Sequence, residues 1–209
     1  MARHQQGFVN KYRKPLFTTL MVIFGVLWFF TKPLWHIHAL VHEFMEPAGA
    51  LLIFAGVIGR IFSTITIGGL KDKELMMTEI YSTVRHPLYF FSFLMMVGIG
   101  FLTARPELLA YVMIAYLSIF LPMIRNEEKF LTARFGEKYT DYAKAVPAFI
   151  PDFRLYTARE RIEINPKLVG RTFLDASLVL ILIPLAEIIN ILKRMGVIDI
   201  ILKKLSIDL

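Results

Sequence analysis

The chain has 209 residues, of which 56% are hydrophobic and 13% aromatic, an apolar share above that of typical soluble domains. It carries 24 lysines and arginines against 17 acidic residues, for a net charge of +7, which suits anionic lipid head groups or nucleic acid. Because cysteine is absent, disulfides, thiolate metal sites and cysteine nucleophiles are excluded. The composition therefore predicts a membrane protein.

Five apolar runs are long enough to cross the hydrocarbon core of a membrane, which takes about 20 helical residues. They cover residues 15–31, 47–67, 88–104, 108–124 and 172–192. Because lipid cannot satisfy open sheet edges, each run is predicted to be an α-helix. The sequence thus predicts an all-α, polytopic bundle of about five transmembrane helices. We expect one domain over residues 1–209.

The polar segment that follows the fourth run contains a predicted amphipathic helix. Aromatic and apolar side chains recur there at helical intervals between charges: Phe130, Leu131, Phe135, Tyr139 and Tyr142. This pattern is typical of a helix that lies at the membrane interface. We expect a helix over residues 133–145 that covers the cytoplasmic end of the bundle.

The distribution of basic residues along the chain predicts its orientation. Counted between the predicted spans, 17 lie on the side of the N-terminus and 6 on the other side, and Arg60 lies inside the second span. By the positive-inside rule the side of the N-terminus faces the cytoplasm. The basic surplus is then explained by topology, and nucleic-acid binding loses its main support.

Two polar clusters stand at the cytoplasmic ends of the third and fourth spans. Arg85, His86 and Pro87 precede the third span, and Arg125, Glu127 and Glu128 follow the fourth. Only Arg105–Glu107 joins these spans, so they form a tight hairpin and the clusters become neighbours. Arg125 and Glu128, three apart on a helix, can pair or jointly hold a ligand. The alternative is that both clusters are ordinary span flanks, with snorkelling arginines and a helix-starting proline.

The stretches "TEIYSTVRHPLY" and "RNEEKFLTARFGEKYTDYAKAVPAFIP" together resemble the isoprenylcysteine carboxyl methyltransferase family and its phospholipid methyltransferase relatives. These are integral membrane enzymes that use S-adenosylmethionine. The resemblance covers about residues 75–151, and more loosely 47–151. One departure is Glu79, where the family usually has glycine. The fifth span at 172–192 lies outside the resemblance.

The resemblance implies a role for each matching residue. The cofactor pocket would be lined by Tyr81, Arg85, His86, Pro87, Leu88, Tyr89, Glu127 and Glu128. Arg125 and the glutamate pair would border the reacting centre, with Arg125 and Glu128 as the catalytic candidates. Tyr139 and Tyr142 would form part of the lid and contact the acceptor.

Methyl transfer also fits these residue types independently of the resemblance. Transfer from a sulfonium removes a positive charge, so a partly dry pocket favours it, and an oxyanion acceptor needs positioning and desolvation. An arginine can hold an oxyanion, and carboxylates can hold amino and hydroxyl groups of the cofactor. The acceptor stays open between a prenylated carboxylate, a lipid phosphate and a lipid amine. For an amine, Glu127 or Glu128 would also have to accept a proton.

Arg60 lies inside the second span, about seven residues from its cytoplasmic end. A charge at that depth needs a partner, because desolvation is costly. The arginine either snorkels to the interface or faces the bundle and binds an anionic head group that enters from the bilayer. We expect the second arrangement to contribute to substrate binding.

The stretch "HIHALVHE" is a competing motif. It puts His38 and His42 four residues apart, which is metal-ligand spacing on a helix, with His36 and Glu43 nearby. Membrane di-iron enzymes need several such boxes, and this chain has five histidines in all, so we predict an interfacial belt and no metal site. The competing function is a non-enzymatic membrane binder or small transporter, and the oligomeric state is left open.

Overall fold

The computed structural model describes residues 8–30, 39–68 and 74–204. The long helices are α1 (Phe8–Phe30), α2 (Ala39–Ile67), α4 (Pro87–Leu102) and α5 (Pro106–Phe135). The shorter ones are α3 (Ile80–Thr83), α6 (Glu137–Ala145), α7 (Pro166–Ser177), α8 (Leu182–Arg194) and α9 (Val197–Lys204), with 3₁₀ turns at Phe153–Leu155 and Leu178–Ile181. Within the described ranges no strand forms beyond one isolated bridge, between Glu79 and Thr157.

The predicted all-α membrane bundle is confirmed. By length and composition, three described helical stretches can cross a membrane, namely Glu43–Ile67, Pro106–Phe135 and Pro166–Lys193. The predicted first and third spans correspond to shorter apolar helices, Pro15–Phe30 and Pro87–Leu102. The hairpin turn lies two positions earlier than expected, at residues 103–105, with Ala104 at φ 49°.

The predicted interfacial helix over residues 133–145 is wrong in its first part. Helix α5 continues beyond the end of the apolar run. It has 30 residues in all and ends at Phe135. Gly136 then adopts φ 57°, a left-handed conformation that glycine reaches without steric cost. The chain turns there, and α6 is a separate helix of nine residues.

The fifth apolar run is not one regular α-helix. A 3₁₀ turn at Leu178–Ile181 separates α7 from α8, and Pro184 lies in the first turn of α8. Only 11% of its most apolar window is buried, so most of its apolar surface is left for lipid.

The chain groups into two compact units. The first takes its residues from Met1–Ile53, Met96–Ile119 and Val179–Leu209. Within it α2 and α4 approach closely, since a Cβ added at Gly98 would lie 2.6 Å from the Gly49 carbonyl oxygen. The Asn190 side chain donates a 2.5 Å hydrogen bond to Glu46, which attaches α8 to α2.

The second unit comprises Phe54–Met95 and Phe120–Leu178 and contains both polar clusters of the sequence. Gly59 on α2 leaves room for the Phe91 ring on α4. The segment that follows α6 runs back along α3, where the Asp152 backbone N–H donates a 2.9 Å hydrogen bond to the Thr83 carbonyl. This unit positions the candidate site.

Candidate active site

The first polar cluster is fixed by the backbone that leads into α4. After α3, Val84 is extended and Pro87 is the first residue of α4, a position that tolerates its missing N–H. The His86 carbonyl accepts from the N–H groups of Tyr89 and Phe90, at 3.1 and 3.0 Å, and the Arg85 N–H donates to the Pro147 carbonyl at 2.9 Å. Arg85 and His86 are therefore held at the start of the helix.

The second cluster meets the first through Glu128 on α5. Its Oε1 lies 2.8 Å from Arg85 Nη1 and 3.2 Å from His86 Nε2. Glu127 Oε2 lies 3.8 Å from His86 Nδ1. The hairpin thus brings together residues that are 42 positions apart, as its length predicted. The His86 side chain is 3% exposed and the two carboxylates about a third, so the cluster faces a space that a ligand can reach.

A narrow cleft opens beside this cluster. Six residues of the predicted site line it, namely Tyr81, Arg85, His86, Glu127, Tyr139 and Tyr142. The remaining walls are Ile67, Glu74, Leu75, Met76 and Leu131. Leu75, Tyr139, Tyr142 and Val146 form a buried apolar cluster. Helix α6 therefore covers the cleft as expected, through its two tyrosines.

Three tyrosines line the cleft, Tyr81, Tyr139 and Tyr142, and we call them the tyrosine roof. Their hydroxyls stay protonated at neutral pH. Burial raises the pKa of Tyr81 and of Tyr142, and the Glu127 carboxylate raises that of Tyr81 further. Burial also raises the pKa of Tyr139, against an opposing effect of Arg85. The Tyr142 hydroxyl donates a 2.6 Å hydrogen bond to the Tyr81 carbonyl, which joins α6 to α3.

Two donors in the cleft wall have no hydrogen-bond acceptor. Arg85 Nε and the Tyr139 hydroxyl are buried and donate to no acceptor among the described residues, although the Arg85 side chain itself interacts with the Tyr139 oxygen. An anionic ligand group would satisfy both. Together with the carboxylates of Glu74 and Glu127, the donor set fits a zwitterionic ligand with hydroxyl groups. The cleft has about 60 Å³ accessible to water, so a nucleoside-sized ligand has to displace part of the tyrosine roof.

The other residues predicted for the cofactor pocket lie beside the cleft. Pro87 is among the most completely buried side chains. The Tyr89 ring is 5.9 Å from the His86 ring and 5.8 Å from that of Phe120. Pro87, Leu88 and Tyr89 are not among the cleft's lining residues. They shape the first turn of α4 and support His86.

The structure does not show the pairing of Arg125 with Glu128 that their spacing allowed. Glu128 contacts Arg85 and His86 instead. The Arg125 side chain is exposed on α5, and it is not in the cleft wall. It is therefore accessible to a group that approaches the site from outside.

Arg60 faces α4 within the second unit. Its guanidinium donates to the Ser92 hydroxyl, which in turn donates a 2.6 Å bond to the Leu88 carbonyl. This polar contact inside the bundle partly offsets the cost of burying the arginine. Arg60 does not line the cleft.

Sequence reasoning missed the role of the Glu79 side chain. It is 3% exposed, and its two carboxylate oxygens accept from the Tyr156 hydroxyl at 2.5 Å and from the Arg159 N–H at 2.6 Å. The Glu79 N–H donates to the Thr157 carbonyl at 2.6 Å. Glu79 has φ 54°, a positive value that glycine adopts without steric cost. The departure from the family's glycine was the only signal of this contact.

Among the described residues, no group of three histidine, aspartate or glutamate side chains is placed to hold a metal ion. His36 and His38 of the histidine motif lie outside the described residues.

Comparison with known proteins gives one family match. The model of the isoprenylcysteine carboxyl methyltransferase family matches residues 48–133, the segment that holds α4, all but the last two residues of α5, and both polar clusters. No solved structure matches the chain.

Three curated relatives share similar stretches. The nickel-cobalt-cadmium resistance protein NccN of Alcaligenes xylosoxydans xylosoxydans is 32% identical over 61% of this chain and 60% of its own. The cobalt-zinc-cadmium resistance protein CzcN of Cupriavidus metallidurans is 29% identical, over 65% and 62%. Protein-S-isoprenylcysteine O-methyltransferase of Dictyostelium discoideum is 29% identical, over 61% and 56%. The match thus spans about three fifths of the length of each of these three relatives.

Proposed function

Because the resemblance to the isoprenylcysteine carboxyl methyltransferase family is confirmed over residues 48–133, we propose that this chain is an integral membrane methyltransferase. It transfers a methyl group from S-adenosylmethionine to a lipidated acceptor in the bilayer, and the family favours the carboxylate of a prenylated cysteine. The active site is the cleft under α6, at the cytoplasmic face. The chain works in a cytoplasmic membrane.

The contact of Glu128 with Arg85 and His86 carries this proposal. Three ionisable side chains from the two ends of the hairpin meet within 3.2 Å, beside a cleft that has unsatisfied donors. A span flank needs no such convergence, because a snorkelling side chain reaches water by itself. Partly buried polar groups that converge on a cleft are typical of functional sites.

The chain's own residues divide into donors and acceptors around the cofactor. Arg85 Nε and the Tyr139 hydroxyl would bind its carboxylate, while Glu127 and Glu128 accept from its amino and ribose hydroxyl groups. When bound, S-adenosylmethionine supplies a methyl group on a positively charged sulfur. Tyr142 and Tyr81 exclude water from this side of the cleft.

A carboxylate acceptor needs no general base. A carbon–oxygen bond forms to the methyl group, the methyl–sulfur bond breaks, and its electron pair stays on sulfur, so no proton is released. Arg125, exposed one helical turn before Glu128, would orient the acceptor's oxyanion, because a guanidinium can grip it with two hydrogen bonds. Arg60 would contact the head group from within the bundle.

Incubation of the purified protein, in lipid nanodiscs, with methyl-labelled S-adenosylmethionine tests the proposal. The acceptors are a farnesylated cysteine derivative, total membrane phospholipid and a lipid amine, each in a separate reaction. We expect label in the farnesylcysteine as a base-labile methyl ester, and much less label with Glu128→Gln when S-adenosylmethionine is not saturating. The matched control Glu160→Gln removes an exposed carboxylate and should keep the activity. Label in phospholipid or amine only would change the acceptor but keep the reaction.

Calorimetric titration with S-adenosylhomocysteine separates the enzyme from a non-enzymatic membrane binder or transporter. An enzyme should release heat on binding and lose that heat with Glu128→Gln. A flat titration on folded protein, together with no labelled acceptor, would favour the non-enzymatic alternative.

A further inference from the structure

The segment between α6 and Thr157, the residue that forms the isolated bridge with Glu79, exposes large apolar side chains. Ile150 is 74% exposed, Phe153 67%, Tyr156 46% and Leu155 36%. Soluble surfaces rarely concentrate so much apolar area in so short a segment. The active-site proposal makes no use of these side chains.

This segment is not a loose loop. The Pro147 carbonyl accepts from the Arg85 N–H, and the Asp152 N–H donates to the Thr83 carbonyl, both at 2.9 Å. Phe149 packs edge-on against Phe90 and Phe93 of α4, with ring centroids 5.8 and 5.4 Å apart. Its backbone and one aromatic anchor therefore fix it beside the first two turns of α4.

The length of α4 sets the depth of those turns in the membrane. Helix α4 has 16 residues, or about 24 Å at ~1.5 Å per residue, whereas the hydrocarbon core is about 30 Å thick. A helix this short spans the core only if its first turn already lies at the boundary of the hydrocarbon or inside the hydrocarbon. Phe149, which packs on that turn, then lies at the same depth.

We propose that residues 149–156 form an interfacial membrane-binding surface, with Ile150 and Phe153 inserted among the lipid chains next to the candidate site. Their exposure to solvent is then exposure to lipid, which removes its cost. The partner is the bilayer of the protein's own membrane. The inference rests on packing and helix length, and it holds whether or not the chain transfers methyl groups.

The charges of the segment indicate which lipids it needs. Arg154 is the cation next to Phe153, and Asp152 binds it through two hydrogen bonds of 2.8 and 2.7 Å. Because this pair is internally neutralised, insertion depends on the apolar side chains. It should therefore occur in uncharged bilayers and be insensitive to salt.

The natural absence of cysteine allows a direct depth measurement. Single-cysteine variants Ile150→Cys and Phe153→Cys carry a nitroxide spin label in phosphatidylcholine nanodiscs that hold one protein each. Lys138→Cys, on the exposed face of α6, is the matched control. Accessibility of each label is measured to oxygen, which concentrates in lipid, and to a water-soluble nickel chelate.

We expect the ratio of oxygen to nickel-chelate accessibility to be several-fold higher at positions 150 and 153 than at 138. Equal ratios at all three positions would place the segment in water and overturn the inference. Low accessibility to both reagents at 150 and 153 would indicate a protein contact and would also overturn it. The two positions are independent, so failure of one variant to fold leaves the other decisive. Methyl transfer is not needed for this readout.

Discussion

Three glutamates of the second unit, Glu79, Glu127 and Glu128, have different surroundings, and these decide their roles. Glu127 and Glu128 are about a third exposed and contact Arg85 or His86 at the cleft. Glu79 is buried and holds the segment around Tyr156 and Arg159. A carboxylate that two internal donors saturate is poorly suited to bind a ligand, so we assign Glu79 to structure and the other two to the site.

Glu128→Gln and Arg125→Lys should fail in different ways. Glu128 does not line the cleft itself but contacts Arg85 and His86 of its wall. The first change therefore removes a charged acceptor from beside the cleft, and we expect weaker binding of S-adenosylhomocysteine by about tenfold or more, as for loss of a charge-assisted hydrogen bond. The second keeps the charge but loses the two-pronged grip on an oxyanion, so turnover should fall while cofactor affinity is kept.

Binding by calorimetry and turnover by label transfer are measured on the same preparations, with Arg161→Lys, an exposed arginine, as control. If Arg125→Lys lost cofactor affinity as severely as Glu128→Gln, the arginine would belong to the cofactor pocket.

Tyr156→Phe should lower the stability of the fold, because it leaves a buried carboxylate oxygen of Glu79 without its donor. The hydrogen bond to Glu79 raises the pKa of Tyr156. A raised pKa on a phenol favours the neutral form in the folded state. The stabilisation is therefore fully present below the unfolded value of about 10 and is lost as pH rises through the folded pKa.

Unfolding midpoints of the wild type and Tyr156→Phe, compared at neutral and alkaline pH, check both parts of this prediction. The difference should shrink above pH of about 10. A constant difference across that range would contradict the assigned hydrogen bond.

Close helix contacts in both units depend on small residues. Gly49 and Gly98 face each other across α2 and α4, and Gly59 faces Phe91. Membrane helices pack through small residues because the hydrophobic effect does not drive two helices together in lipid. Van der Waals contact between the helices must therefore hold them together. The glycine spacing in the sequence was compatible with this packing but could not identify the partner helix.

Gly98→Ala should destabilise the bundle by about 1–3 kcal/mol, the usual cost of overpacking. The added Cβ would lie 2.6 Å from the Gly49 carbonyl oxygen and 2.7 Å from Ile53 Cγ1. Gly25→Ala on α1 is the matched control, because nothing lies within 4 Å of its added Cβ. It should be neutral or stabilising by up to about 1 kcal/mol.

Thermal unfolding in one detergent compares the two variants with the wild type. Equal midpoints for Gly98→Ala and Gly25→Ala would show that α2 and α4 are not in close contact at Gly98.

For the molecule as a whole, the charge distribution predicts the orientation in the membrane. Basic residues concentrate at the end of the hairpin that carries the candidate site, by 17 to 6, and the positive-inside rule places that end in the cytoplasm. A cytoplasmic site would also have direct access to a soluble cofactor.

Cysteine at position 138 should be protected from an impermeant thiol reagent in intact cells and labelled after permeabilisation. Cysteine at position 32, which lies outside the described residues, should be labelled in intact cells. The wild type, without cysteine, reports the background. Labelling of 138 but not 32 in intact cells would reverse the topology.

The sequence by itself determined the all-α membrane class and the residues that meet at the end of the hairpin. Continuous apolar runs have one stable form in lipid, and a short turn between two spans of equal length returns the chain to the same membrane face. Arg85, His86 and Glu128 were therefore predictable as neighbours.

Only the tertiary structure decided which partners these residues take. Glu128 binds Arg85 rather than Arg125, because its side chain points across the helix interface toward the start of α4 and not along α5 toward Arg125. The end of α5 at Phe135, the Glu79 contacts and the anchoring of Phe149 on α4 also depend on residues distant in sequence. Local patterns carry no information on such contacts, because their energies arise only when packing brings the side chains together.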